Sequence, residues 1–246
     1  MITLYQFELS PFCDKVRRVM HYKGVEYRVE EVPVATASLR IKRVNPIGKV
    51  PVLEHDGQRL ADSTHIARYL EEKFPSPPIY PKDPRDRALA HVLEEWADES
   101  LYFYEVRLRF TFRANAKAWT QKLLAKEPGL IKAMAPLAIP RHFKAILVPQ
   151  GIGRKPEAMV LKELDEHLAA TAELLRGRSW LVGEALSIAD IAMVSQLHAL
   201  NGTQEGAEAI ARQPAVATWL ARVEAATAKP APGAAGAHAA PTAKSA

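Results

Sequence analysis

Ser10 and Cys13 are the residues whose types and spacing most suggest chemistry, and they lie at the junction of a predicted strand and a predicted helix. Ser10 has the side chain of a helix N-cap, and Pro11 suits the first helical position because its missing N–H would have no partner there. The first turn of a helix presents unpaired N–H groups and the positive end of the helix dipole. This junction would therefore hold an anion well, including a thiolate.

Cys13 is the only cysteine, so the chain can form neither an intramolecular disulfide nor a cysteine-based metal site. The spacing S-x-x-C matches a redox C-x-x-C motif in which Ser10 replaces the first cysteine. Two interpretations of Cys13 stay open: a nucleophile whose thiolate the helix dipole favours, or a buried, small apolar side chain. We favour the buried side chain, since the second cysteine of such motifs usually points inward.

The composition is that of an ordinary globular protein, and 246 residues are enough for two domains. The net charge is +5, but no basic block is interleaved with aromatic residues, so nucleic acid is not expected as a partner. No apolar run approaches the ~20 residues that cross a bilayer, and the first residues lack the pattern of a secretory signal. We therefore expect a cytoplasmic protein that does not bind membranes. The histidines lack ligand spacing, so we expect no metal.

Residues 1–75 show the alternating strand and helix patterns of a thioredoxin-like α/β domain. A strand, a helix and a second strand in this order predict a parallel crossover. The Asp56-Gly57 pair then predicts a tight hairpin of two more strands, and a helix opens at Asp62. The predicted strands are residues 2–7, 26–32, 49–54 and 58–61.

The rest of the chain has helical periods. Residues 76–86 are too rich in proline for a helix and are predicted to be a linker. Residues 87–227 are predicted to form an all-helical domain, in which Pro128, Pro136 and Pro140 should break or kink the chain. Residues 228–246 have almost nothing to bury and are predicted to be a disordered tail.

Three groups of residues in the helical part have a predicted role. Ser187 and Asp190 have the spacing of a helix capping box, so we assign them to folding. Aromatic residues could line an apolar pocket, although their helical spacing favours the core; they are Trp96, Tyr102, Phe103, Tyr104, Phe110, Phe112 and Trp119. The third group is Arg107, Arg109 and Arg113. These arginines could bind an acidic substrate, but we favour the interpretation that they form a solvated helix face.

Four short motifs occur in order: Ser10-Pro11-Phe12-Cys13, Asn45-Pro46-Ile47-Gly48-Lys49-Val50-Pro51-Val52-Leu53, Asp62-Ser63 and Ser187-Ile188-Ala189-Asp190. Together they resemble a cytosolic glutathione S-transferase across roughly residues 1 to 226. The resemblance implies that the first domain holds glutathione as co-substrate and that the helical domain supplies most of the pocket for a small apolar electrophile. It also implies a homodimer.

The resemblance also implies roles for individual residues. Ser10 would be the catalytic residue that faces the glutathione sulfur. Val50-Pro51 would be the cis-proline site whose backbone pairs with the cysteinyl part of glutathione. Asp62 and Ser63 would bind the γ-glutamyl end, and Lys49 would reach a carboxylate. The candidates for the second-substrate pocket are Tyr102, Tyr104 and Phe110.

Two other functions stay open. Residues 150–154 are similar to a segment of metaxin-related and failed-axon-connections-type proteins, which share the two-domain architecture, so a non-catalytic binding or interaction protein is one alternative. A thiol oxidoreductase that uses Cys13 is the other. Ser10 in place of the first cysteine cannot form a mixed disulfide, and this favours conjugation or another glutathione-dependent addition.

Overall fold

A computed structural model describes residues 1–33, 41–42, 45 and 48–229. Within these residues a mixed four-stranded sheet with helices is followed by a helical bundle. The prediction of a thioredoxin-like α/β part followed by an all-helical part is therefore confirmed. Pro46 and Ile47 of the predicted turn, and the predicted tail beyond residue 229, lie outside the described residues.

The sheet has the strand order β2-β1-β3-β4, in which β1 pairs parallel with β2 and antiparallel with β3. The parallel pair is the predicted crossover, with helix α1 between its strands. Asp56 and Gly57 connect β3 to β4 with φ angles of 50° and 81°, the left-handed values that a tight two-residue hairpin requires. The bounds are β1 (Ile2–Gln6), α1 (Pro11–Tyr22), β2 (Tyr27–Glu31), β3 (Val52–His55), β4 (Gln58–Ala61) and α2 (Ser63–Lys73).

The helical bundle is built around helix α8, most of whose side chains are buried. Helix α8 packs against α1 of the first part and against α3, α4, α9 and α10. The bounds are α3 (Pro84–Trp96), a π-helical segment (Ala97–Leu101), α4 (Tyr102–Phe110), α5 (Ala116–Leu123), α6 (Gly129–Gln150), α7 (Glu157–Leu174), α8 (Ile188–Asn201), α9 (Gln204–Ala211) and α10 (Pro214–Ala226). Among the described residues no helix is both long and apolar enough to span a membrane.

The helices differ from the prediction in two places. The chain breaks at Pro128 as expected, but α6 continues as one α-helix through Pro136 and Pro140. These prolines lie one turn apart, so the N–H groups that they lack fall on one face of the helix. Helix α9 was not predicted, because its eight residues carry too short an apolar pattern.

Hydrogen bonds from Lys23 connect the segment after α2 to the end of α1. Its side chain is completely buried, and Nζ donates to Glu71 Oε2 at 2.6 Å and to the carbonyls of Phe74 and Pro77 at 2.8 Å each. Three acceptors match the three donors of an ammonium group. The start of the predicted linker is therefore held in place by hydrogen bonds. Helix α3 begins at Pro84, inside the range that was predicted to be linker.

The expectation of a solvated arginine face is wrong for Arg107 and Arg109, which are buried, and holds only for Arg113. Arg107 donates to the Lys155 carbonyl and to Thr111 Oγ1. Helix α4 lies between other parts of the chain. Two of its arginines therefore donate to carbonyl groups of those parts and not to solvent.

Asp190 joins three parts of the helical bundle. Its side chain is fully buried and accepts from the backbone N–H of Leu181, from both N–H and Oγ–H of Ser187, and from Trp219 Nε1, at 2.8–2.9 Å. The carboxylate therefore accepts hydrogen bonds both from the chain before α8 and from a tryptophan of α10.

We expect Asp190→Ala to destabilise the fold by about 3 kcal/mol or more, because several buried donors would lose their acceptor. Ser187→Ala should cost only about 1 kcal/mol, the usual value for a lost cap. Urea unfolding followed by circular dichroism measures both. Equal losses for the two variants would contradict the central role of Asp190.

Candidate functional site

Ser10 is the N-cap of helix α1, and its backbone N–H donates to the Phe7 carbonyl at 3.0 Å. Its Oγ accepts from the Cys13 N–H at 3.4 Å, which is long for such a bond. A hydroxyl that accepts one weak bond can still donate its proton elsewhere. Ser10 is half-buried and lines a pocket, so a ligand can reach it.

A polar pocket of about 470 Å³ lies beside α1, between the sheet edge and helix α3. All five residues predicted to bind glutathione line it: Lys49, Val50, Pro51, Asp62 and Ser63. The structure therefore brings together positions that are up to 14 residues apart in the chain. The other polar side chains on the wall are Asn45, Thr64, His65, Arg68, His91, Glu95, Asp98 and Glu99.

The backbone around Pro51 forms one side of the polar pocket. The Val50–Pro51 peptide bond is cis, and Pro51 is buried next to the start of β3. Asn45, also buried, donates from Nδ2 to the Lys49 carbonyl at 3.0 Å and so supports the segment before the cis bond.

Asp62 has a backbone conformation that residues with a side chain rarely adopt. Its φ is 77°, and Oδ1 accepts from the N–H groups of Thr64 and His65 at 3.0 and 3.1 Å. Such left-handed backbone costs energy and is concentrated at binding sites. Ser63 is the first residue of α2, so the polar pocket also receives the positive end of that helix.

A second, apolar pocket of about 430 Å³ begins where the polar pocket ends. Its walls include Ser10 and two of the predicted residues, Tyr102 and Phe110. Aromatic rings form much of the surface: Phe12 lies 5.0 Å from Tyr102, and Phe110 stacks on Phe143 at 4.1 Å. Five residues line both pockets; they are Phe12, Lys49, Val50, Asp98 and Glu99.

The prediction that Tyr104 lines the second-substrate pocket is wrong. Tyr104 lies on the opposite side of α4, where its hydroxyl donates to Glu163 Oε2 at 2.9 Å and lies 3.2 Å from His167 Nε2. Tyr104 follows Tyr102 by two residues, so its side chain is rotated by about 200° around the helix axis. The two side chains therefore lie on different faces of α4.

Lys15 is a buried charge at the site that the motifs did not indicate. Its Nζ lies 2.7 Å from Glu94 Oε1 and 2.6 Å from Asp98 Oδ2, and it donates to Thr64 Oγ1 at 3.0 Å. Burial lowers the pKa of Lys15, but the two carboxylates outweigh it and hold the pKa above its usual value. The available signal was the position of Lys15 four residues before Val19, on the apolar face of α1.

Glu105 and Arg109 form a second buried pair, in the wall of the apolar pocket. Arg109 Nη1 donates to both Glu105 oxygens, at 3.0 and 2.9 Å. The i, i+4 spacing on a helix is a signal for such a pair, although it does not predict burial.

Cys13 is completely buried beneath the first turn of α1. Burial raises the pKa of its thiol to about 11, because the hydrogen bonds from Phe7 and Ser10 only partly offset the loss of solvent. The thiol is therefore protonated at neutral pH. Within the described residues no group of three or more His, Cys, Asp or Glu side chains is arranged to hold a metal ion.

Residues 150–154 form a compact turn that ends α6. The N–H of Ile152 donates to Gln150 Oε1, and Arg154 Nε donates to the Val148 carbonyl at 2.9 Å. A Cβ on Gly153 would lie 2.7 Å from backbone atoms of Leu147, so only glycine fits.

Comparison with known proteins identifies both halves of the chain. The model of the glutathione S-transferase N-terminal domain matches residues 4–78, and that of the glutathione S-transferase C-terminal domain matches residues 131–226. A probable glutathione S-transferase of Nicotiana tabacum is 38% identical over 41% of this chain and 45% of its own length. The chain thus matches less than half the length of the first such plant relatives.

Other likenesses run over nearly the whole chain. Protein LigF of Sphingobium sp. strain SYK-6 is 27% identical over 91% of this chain and 90% of its own. The crystal structure of that protein, described as a beta-etherase, superposes with a TM-score of 0.67 at 26% identity and covers 91% and 95% of the two chains. A glutathione S-transferase from Methylobacterium radiotolerans in complex with glutathione sulfonate gives 0.60 at 27% identity, covering 91% and 90%.

The domain order, the cis-proline segment beside a capped helix and the two matching domain models agree with one another. The chain belongs to the glutathione S-transferase superfamily.

Proposed function

We propose that this protein is a glutathione-dependent enzyme that activates the glutathione thiol for attack on a small apolar electrophile. The observation that carries the proposal is the position of Ser10. Its hydroxyl lies at the N-terminus of α1, in a pocket that shares five lining residues with the polar pocket. A sulfur bound there would face the helix dipole on one side and aromatic walls on the other.

The polar pocket has the groups that each end of glutathione needs. Asp62 would pair with the γ-glutamyl ammonium, while Ser63 and the α2 N-terminus would hold its carboxylate. The Val50 backbone would pair with the cysteinyl unit in the manner of an added strand, and Lys49 would attract the glycyl carboxylate. The relative solved with glutathione sulfonate supports a ligand with the glutathione peptide backbone in this fold.

Ser10 would lower the thiol pKa in the bound state. The hydroxyl donates to the sulfur while a lone pair accepts from the Cys13 N–H, so capping and activation are compatible. A hydrogen bond to the thiolate and a positive dipole both favour the charged form, which is the nucleophile.

The reaction follows from the bonds that a thiolate can exchange. The sulfur forms a bond to an electrophilic carbon, and the leaving group departs with the electron pair of the bond that breaks. Aromatic walls favour an aryl substrate. Because a near full-length relative is described as a beta-etherase, an ether whose leaving group is a phenolate is the second substrate class to test, beside an aryl halide.

The alternatives have less support. A thiol oxidoreductase would need a reachable thiolate at Cys13, whose side chain is buried and whose thiol is held protonated. A non-catalytic binding protein would not need Ser10 in the pocket next to the polar groups.

We also propose a homodimer, as the family resemblance implies. Leu89 and Val92 lie three residues apart on α3 and are 39% and 62% exposed, so one face of this helix offers two adjacent apolar side chains to a partner. His91 and Glu95 of the same helix line the polar pocket, so a partner at this face would border the glutathione site.

The Ser10→Ala variant tests the proposed mechanism. We expect wild-type protein to bind glutathione and to lower its thiol pKa, and we expect the variant to raise this pKa by about one unit because a hydrogen bond to the thiolate is lost. Calorimetry measures binding, and thiolate absorbance against pH measures the pKa.

Thr203→Ala is the matched control, since Thr203 is also an N-cap, of helix α9, and accepts from Gly206 N–H away from both pockets. It should lose comparable stability and leave the thiol pKa unchanged. Absence of binding by wild-type protein at millimolar glutathione would refute the proposed function.

We expect Cys13 to have no role in catalysis. We expect Cys13→Ala to keep the turnover of an aryl halide with glutathione, and the native thiol to react with a disulfide reagent only after denaturation, because it is buried and protonated. Loss of activity in Cys13→Ala with Ser10→Ala nearly unaffected would instead support the oxidoreductase.

Val92→Glu tests the dimer. Light scattering should show a dimer for the wild-type protein and a monomer for the variant, because a charge at an apolar interface must be desolvated. Leu130→Glu, at an exposed apolar residue of α6, is the control and should remain dimeric. A monomeric wild-type protein would contradict the proposal.

A further inference from the structure

We propose that Arg109, held in place by Glu105, is a positioning residue that orients Ser10 through the carbonyl of Leu9. The inference rests on the proposed function of Ser10 and adds a residue pair of helix α4 to the site. It starts from one contact between the two halves of the chain: Arg109 Nη2 donates to the Leu9 carbonyl oxygen at 3.1 Å.

The guanidinium of Arg109 is fixed on several sides. Nη1 donates to both oxygens of Glu105, and the two side chains are 3% and 1% exposed. The charged carbon lies 4.2 Å above the ring of Trp119 and 5.0 Å from that of Phe110. A planar group bound at its edge and stacked on its face has little freedom, so the donor to Leu9 points in a defined direction.

The Leu9–Ser10 peptide unit is held at both of its polar atoms. Its carbonyl accepts from Arg109, and its N–H, which belongs to Ser10, donates to the Phe7 carbonyl at 3.0 Å. Because a peptide unit is planar, two bonds on opposite edges fix the orientation of the plane. The direction of the Ser10 Cα–Cβ bond depends on that plane and on the Ser10 φ angle of −80°, and the Ser10 carbonyl on the other side accepts from the Asp14 N–H at 3.0 Å. The Ser10 side chain itself contacts Cys13, through the long bond from the Cys13 N–H and through the buried Cys13 thiol.

The pair acts by position and not by its net charge. Arg109 and Glu105 carry opposite charges within hydrogen-bond distance, so their fields largely cancel at the sulfur site. Both residues line the apolar pocket, whose remaining wall is mostly aromatic and aliphatic. A buried ion pair seldom adds stability over an apolar pair of similar volume, so its presence here fits a geometric task.

The variant for the test must not leave a charge unpaired, because that alone could unfold the protein. Glu105→Leu combined with Arg109→Met removes the pair and the bond to Leu9 while it keeps apolar volume. Arg107→Met is the matched control: Arg107 is a buried arginine of the same helix, but it donates to the Lys155 carbonyl, away from Leu9.

The first measurement is the pKa of bound glutathione. We expect the double variant to raise it by about one unit, a tenfold loss of thiolate below the pKa, while Arg107→Met leaves it unchanged. Added to Ser10→Ala, the double variant should cause no further rise, because it acts through that hydroxyl. An unchanged pKa in the double variant, or a full additional rise in the Ser10→Ala background, would overturn the inference and leave the role of Ser10 intact.

The second measurement needs no ligand and separates the inference from the proposed function. Hydrogen exchange followed by mass spectrometry over residues 7–16 reports the Ser10 and Cys13 amides. Exchange should be at least tenfold faster in the double variant than in wild-type protein or Arg107→Met. If wild-type protein bound no glutathione, faster exchange would still support the positioning of Ser10, whereas equal exchange in all three proteins would overturn it.

Discussion

The buried ammonium of Lys15 is the constraint on which the rest of the structure depends. A lone charge in the interior costs several kcal/mol, so α1 can pack only where carboxylates meet it. Glu94 and Asp98, from α3 and the π-helical segment, supply them at 2.7 and 2.6 Å. Because Ser10 caps α1 and Asp98 lines both pockets, the contact that joins the two halves of the chain also places Ser10 beside its pockets.

The two halves of the chain contribute different kinds of residues to the candidate site. The sheet and its helices provide polar groups with fixed backbone geometry: the cis bond before Pro51, the left-handed Asp62 and the N-termini of α1 and α2. The helical half provides the aromatic surface and the Glu105–Arg109 pair. In the proposed reaction a thiolate needs preorganised donors and an apolar electrophile needs desolvation, and each half would supply one of these environments.

Stability comes from buried polar groups that serve several elements together. Asp190 satisfies donors on a loop, on the start of α8 and on α10, and Lys23 ties the segment after α2 to α1. Neither residue lines a pocket among those near Ser10. The surroundings of Ser10 are therefore held by contacts that the chemistry does not use.

The sequence was enough to predict most of the helices and strands, and the family resemblance selected five residues that the structure brings to the wall of one pocket. Apolar periods, proline, the Asp56-Gly57 turn and the capping residues are local signals, and they predicted the strands, α1, α2 and α7 to within a few residues. Only the tertiary structure decided the rest: that Tyr104 turns away from the pocket, that Arg107 and Arg109 are buried, and that Lys15 meets Glu94 and Asp98. The physical reason is that burial of a charge depends on partners about 80 residues away, as Lys15 and Asp98 are, and no local pattern encodes such a distance.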